Sequence, residues 1–207
     1  GSGESDMFVF HLNSGNDRIV SGSNWSSETD RLYFPTANSG DLDINYDGTD
    51  MVIGVAGQSG SIRIVDDGSN SSSADRNHVQ EYEFSDGTVL GRLAFMKENI
   101  GTSGDDYFSG SGRSDNFVFR ANQGDDQIGS FSSYSSETDR LFFDPVISEG
   151  SVSASYSGND LIISSSDVSN TMTILNESSG SKAQMDLFVF GNGTSYSRAD
   201  FVANFVN

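Results

Sequence analysis

Residues 101–129 read GTSGDDYFSGSGRSDNFVFRANQGDDQIG. Three glycine- and aspartate-rich loops follow one another here, each ending in a short apolar stretch. GTSGDDYFS (101–109), GSGRSDNFV (110–118), ANQGDDQIG (121–129) and, further on, YSSETDRLF (134–142) all carry Asp at the sixth position. A large apolar residue stands at the eighth: Phe108, Phe117, Ile128 and Leu141. Glycine at the first and fourth positions lets the backbone enter φ > 0 and turn its carbonyls outward. Aspartate adds a hard anionic oxygen, and the eighth residue points into the core of a very short strand. Stacked units would align loop above loop, so that carbonyls and carboxylates converge on a gap suited to a hard cation with six to eight oxygen ligands, Ca²⁺ before Mg²⁺.

The same pattern occurs earlier as Asp6/Phe8, Asp17/Ile19 and Asp30/Leu32. Residues 1–34 align without gaps to 110–143, with 22 of 34 positions identical. The correspondence continues through Asp50-Met51-Val52-Ile53 with Asp160-Leu161-Ile162-Ile163, and Phe84-Ser85-Asp86-Gly87-Thr88 with Phe190-Gly191-Asn192-Gly193-Thr194. The chain is therefore read as two tandem units, 1–100 and 101–207. Nothing precedes GSGESD to match 101–109, so the register predicts continuation at that end. Further covalent repeats, or head-to-tail self-association into open filaments, would provide it.

Composition supports an all-β reading. Of 30 acidic residues 22 are Asp, which favours turns over helix interiors, and only Lys97 and Lys182 are lysines. Leu42–Tyr46 and Met51–Val55 alternate with period two around Asp47-Gly48-Thr49, a hairpin signal. Strands are expected again at Ser61–Val65 and Val79–Phe84, and short helical turns only at Arg92–Lys97 and Arg198–Phe205. Apolar residues make up 34%, a thin core that needs help from bound ions. A net charge of −19 argues against nucleic acid and anionic membrane surfaces as partners, and no run is long and apolar enough for membrane insertion. With no cysteine, disulfides and thiolate metal sites are excluded as well.

The nonapeptides resemble the G-G-x-G-x-D-x-U-x repeat of RTX (haemolysin-type calcium-binding) proteins. The segments D-G-x-D-φ-V-I and F-x-D-G-T resemble the haemolysin-type related domain that accompanies those repeats. The resemblance implies a Ca²⁺-stabilised parallel β-roll or β-solenoid in two tandem copies, each completed by antiparallel hairpin strands. It implies a main site between loops 101–106 and 121–126, with Asp106 and Asp126 and carbonyls near Gly101, Ser103 and Gly124. Asp115 and Asp139 form the opposite row, matched by Asp6 and Asp30, while Asp17 corresponds to Asp126. The pattern departs from the family where the fourth glycine is replaced by Glu4, Glu28, Arg113 and Glu137. A cation at Arg113 opposes a bound ion, so fewer ions than loops are expected.

Function follows as an expectation: a non-enzymatic calcium-binding structural or adhesive module of a secreted or bacterial cell-surface protein. It would serve as an adhesin spacer, or as a surface-layer or filament subunit. The alternative is a Ca²⁺-dependent carbohydrate-binding module of an extracellular polysaccharide-degrading enzyme, with Trp25, Tyr134 and Tyr33 as a stacking platform. His11 and His78 have no counterparts between the copies and read as structural or surface residues. Asp66-Asp67 and the loop to residue 77 read as solvated surface. Asn24-Trp25-Ser26 and Asn192-Gly193-Thr194 match a glycosylation sequon but are discounted in a family that is largely bacterial.

Overall fold

Strands of three or four residues bury too little to persist alone, so each must find a partner one turn of chain away. The computed structural model describes residues 4–20, 28–67, 79–110, 114–129, 137–179 and 184–207. Trp25, Tyr134, Asn24, His78, Arg113 and the loop 68–77 lie outside them. The fold is all-β apart from two short helices, and the chain divides into two compact units, Gly1–Ile100 and Gly101–Asn207.

The first unit contains β1 (Met7–Val9), β2 (Asn16–Ile19), β3 (Arg31–Phe34), β4 (Leu42–Asp47), β5 (Asp50–Val55), β6 (Ser61–Ile64), β7 (Glu81–Phe84), β8 (Val89–Gly91) and α1 (Arg92–Asn99). One sheet runs β1-β3-β7-β8, with β1, β3 and β7 parallel and β8 antiparallel. The other runs β2-β6-β5-β4, with β2 parallel to β6 and the rest antiparallel. Successive strands of the loop series thus alternate between two sheets. The β4–β5 hairpin closes through Gly48-Thr49, with Gly48 at φ +66°, a backbone angle that glycine reaches without strain.

The second unit repeats this plan in β9 (Tyr107–Ser109), β10 (Asn116–Phe119), β11 (Asp126–Gly129), β12 (Arg140–Phe143), β13 (Val152–Ser157), β14 (Asp160–Ser165), β15 (Thr171–Ile174), β16 (Leu187–Val189), β17 (Ser195–Ser197) and α2 (Arg198–Phe205). Its sheets run β10-β12-β16-β17 and β13-β14-β15-β11-β9. Strand β9, formed by nonapeptide 101–109, adds a parallel edge to the second.

Eighth-position residues carry the core. Phe108, Phe117, Ile128, Leu141 and Leu32 are fully buried and Ile19 nearly so, whereas Phe8 is only half-buried on the edge strand β1. Phenylalanines stack behind them: Phe143 on Phe190 at 4.3 Å and Phe188 on Phe201 at 3.8 Å, with Tyr82 on Phe95 at 3.7 Å in the first unit. Such pairs add roughly 0.5–1.5 kcal/mol each beyond the area they bury. Both helices therefore close a unit by dropping an aromatic side chain onto a sheet.

An ion pair on a buried carboxylate pins each helix start. Arg92 reaches Asp67 at 3.0 Å, and Tyr46 donates its hydroxyl to the same carboxylate at 3.1 Å. In the second unit Arg198 reaches Glu177 at 2.6 Å. Asp67 is thus no part of a solvated surface: it is fully buried. Asp66, at φ +59°, turns the chain so that the next side chain enters the core, and Asn176 does the same at φ +57° before Glu177. A charge-rich loop hid this pairing, because the arginine that neutralises Asp67 lies 25 residues downstream.

Candidate metal centre

Loop 121–126 lies directly on loop 101–106. Gly124 sits at φ +75°, and a Cβ there would fall 2.3 Å from the carbonyl carbon of Gly104 and 2.6 Å from the amide nitrogen of Asp105. Only glycine permits that approach. The first unit has the same device at Gly60, where a Cβ would lie 2.5 Å from the Gly15 carbonyl oxygen.

Stacking places the sixth-position aspartates in columns. Asp106 donates its backbone N–H to Asp126 Oδ1 at 3.0 Å, Asp115 to Asp139 Oδ1 at 2.9 Å, and Asp6 to Asp30 Oδ1 at 2.9 Å. One rung further, Asp139 donates to Asp186 Oδ2 at 2.9 Å and Asp30 to Gln80 Oε1 at 2.6 Å. From the sequence these carboxylates should point into a gap between loops. The structure instead turns one oxygen of each acceptor onto the backbone of the neighbouring turn. The N–H preceding a three-residue strand faces that turn, and a buried donor must be satisfied.

The second oxygens are less well served. Asp106, Asp115, Asp126 and Asp139 are all buried, and Asp139 Oδ2 has no hydrogen-bond partner among the described residues. Burial pushes the Asp126 carboxyl up to about 7, with the charges of Asp106, Asp105 and Asp125 adding to it and the Asp106 N–H opposing it. Asp139 is pushed up to about 8, again by burial first and then by Asp115. Neither carboxylate meets a cationic side chain among the described residues. Asp126 and Asp139 are therefore buried carboxyl groups whose ionised form no cation among the described residues stabilises.

The remaining expected ligands are distributed unevenly. Thr102 clamps Asp106, donating its amide to Oδ2 at 2.5 Å and its hydroxyl to both oxygens at 3.0 Å. Gly101, at φ +97°, is buried beside that carboxylate, whereas Ser103 is exposed in a bend. Asp6 is half-buried and Asp17 exposed, the latter accepting from the Ser14 hydroxyl at 3.0 Å. Among the described residues no group of three His, Cys, Asp or Glu side chains is arranged to hold a metal ion. The donor set nevertheless fits a hard cation: it contains oxygen alone, and it includes Asp139 Oδ2, which has no hydrogen-bond partner among the described residues.

Three acids and one glutamine escaped the sequence reading. Asp186 and Gln80 continue the columns and stand two residues before Phe188 and Tyr82, the spacing of every other rung, but their preceding loops lack the Gly/Asp pattern. Asp105 and Asp125 form a second, fifth-position column, Asp125 donating its N–H to Asp105 Oδ1 at 2.9 Å.

Residues 50–92 match the family described as haemolysin-type calcium binding protein related domain. That is the domain class the D-G-x-D-φ-V-I and F-x-D-G-T segments resemble. The matched haemolysin-type segment spans β5 to β8 and ends at Arg92, the ion-pair partner of Asp67. It completes both sheets of the first unit, and its internal counterpart reaches Arg198 in the second. No curated protein matches the chain. Among the described residues no helix is long and apolar enough to cross a membrane.

Proposed function

We propose that the chain is a calcium-stabilised parallel β-roll module of a secreted or cell-surface protein, with a structural or adhesive rather than an enzymatic role. The observation that carries this reading is the column pair Asp106–Asp126 and Asp115–Asp139: buried carboxylates in stacked glycine loops, of which Asp126 and Asp139 meet no cationic side chain among the described residues. Asp106 and Asp126, with carbonyls of loops 101–106 and 121–126, would hold one ion. Asp115, Asp139 and Asp186 would serve the opposite column. When bound, the cation supplies positive charge that favours the ionised form of these carboxylates.

The alternation of parallel strands between two sheets supports the roll, and the haemolysin-type match supports calcium over other hard cations. A non-enzymatic role is supported by the use of the aspartates, each acceptor of the columns bridging a backbone N–H of the neighbouring turn. Outside cells calcium is abundant enough for sites of roughly 10⁻⁴–10⁻³ M affinity. Calcium titration followed by circular dichroism and calorimetry tests the reading. Folding and melting temperature should rise with Ca²⁺ and fall in chelator, and identical melting in both would remove it.

A further inference from the structure

Beside the aspartate columns of the second unit lies a cleft of about 320 Å³, lined by Asp105, Asn122, Gly124, Asp125, Ser169 and Asn170. Its walls are held from behind. Asp105 Oδ1 takes the Asp125 N–H at 2.9 Å, and Asp125 Oδ1 takes the Thr171 amide at 2.8 Å and its hydroxyl at 3.0 Å. Asn170 is almost fully buried and doubly tied, donating to the Arg120 carbonyl at 2.8 Å and accepting from the Asn122 N–H at 3.2 Å. What remains open is a mixed set. The second oxygens of Asp105 and Asp125, the Asn122 carboxamide and the Ser169 hydroxyl make no hydrogen bond among the described residues.

We infer that this cleft binds a neutral oligosaccharide. Preorganised acceptors beside an amide and a hydroxyl complement sugar hydroxyls, each of which donates and accepts. The volume falls in the range of small-molecule sites and is far larger than one ion occupies. Two carboxylates in the wall and a net charge of −19 disfavour an acidic glycan. A hydroxyl row leads out of the cleft over the sheet. Thr171 pairs in register with Ser164 and Ser164 with Ser153, whose hydroxyls meet at 3.0 Å. The rungs are one strand spacing apart, about 4.8 Å, comparable with the length of a pyranose ring, so a chain can continue along them. The first unit lacks the site. There Asn16 stands in place of Asp125 and is bonded by Ser61, and the Asn13 carboxamide is bonded by Ser59.

The site does not depend on the calcium reading, and the test keeps the two apart. Hexasaccharides of β-1,4-glucan, β-1,4-xylan and α-1,4-glucan are titrated into isotope-labelled protein, in Ca²⁺ and in chelator, with circular dichroism recording the fold. At least one sugar should shift the amides of Asp105, Asp125 and Ser169. Asp105→Asn keeps the acceptor for Asp125 and removes one carboxylate charge, and Asn122→Gly keeps the φ of +60°. Each should weaken binding about tenfold, as expected for one hydrogen bond to a charged or amide partner, while Asn13→Gly in the first unit changes nothing. Folded protein that responds to none of the three sugars overturns the proposal. So does binding that both variants leave intact, or a cleft whose amides answer to Ca²⁺ alone.

Discussion

Asp115 donates its backbone N–H to Asp139 Oδ1 at 2.9 Å, while the other oxygen of Asp139 is buried with no hydrogen-bond partner among the described residues. One carboxylate thus performs two tasks of opposite consequence. Its bonded oxygen holds two turns of chain together, and its second oxygen places a titratable group in the interior, where burial disfavours the charged form.

That conflict sets the pH dependence. Burial raises Asp139 from 3.8 to about 8 and Asp126 from 3.8 to about 7, so the folded chain holds protons that the unfolded chain has released. Stability in chelator should therefore fall as pH rises from about 4 to about 8, the reverse of ordinary acid denaturation. A bound cation favours the ionised carboxylates and should flatten or invert the slope. Calorimetric melting at a series of pH values, with and without Ca²⁺, measures both.

Asp139→Asn should separate the two tasks. The amide oxygen still accepts from Asp115, and the buried charge is gone. The variant should melt higher than the parent in chelator and gain less from Ca²⁺. Asp139→Ala also leaves the Asp115 N–H unsatisfied and should lose about 1–3 kcal/mol in either condition. If Asn and Ala behave alike in urea titrations, the charge at this position is not what matters.

Gly124→Ala should be among the most damaging single-methyl changes in the chain. It demands φ +75° of an alanine and drives a Cβ to 2.3 Å from the Gly104 backbone. The loss should exceed the ~1 kcal/mol of an ordinary strained Gly→Ala change, because the loops must also separate. Gly150→Ala, with open space around it, is the matched control and should be neutral in the same denaturant assay.

Arg92→Leu should unfold the first unit before the second. It removes the arginine paired with Asp67, which is completely buried, and breaking such a pair from one side costs about 3–5 kcal/mol. Arg198→Leu should do the same to the second unit through Glu177, whose carboxyl burial already raises to about 7. Limited proteolysis with mass spectrometry would show which unit opens first.

Much of the architecture is legible in the chain as written. The Asp-x-apolar spacing, the internal duplication, the Asp47-Gly48 hairpin and the two helix positions are local patterns, and local patterns survive because backbone geometry and turn chemistry act over a few residues. Asp106, Asp126, Asp115 and Asp139 were visible for the same reason. The direction in which their oxygens turn was not. That is decided by which backbone N–H the next turn leaves unsatisfied, a matter of stacking between residues 20 and 24 positions apart. Asp67 changed from surface to core because Arg92 folds back onto it, and Asp186 joined its column through strand register rather than motif. Sequence by itself determined the periods, the turns and the supply of hard oxygen. Only the tertiary structure decided which charges are buried, since burial depends on what distant segments bring to the same place.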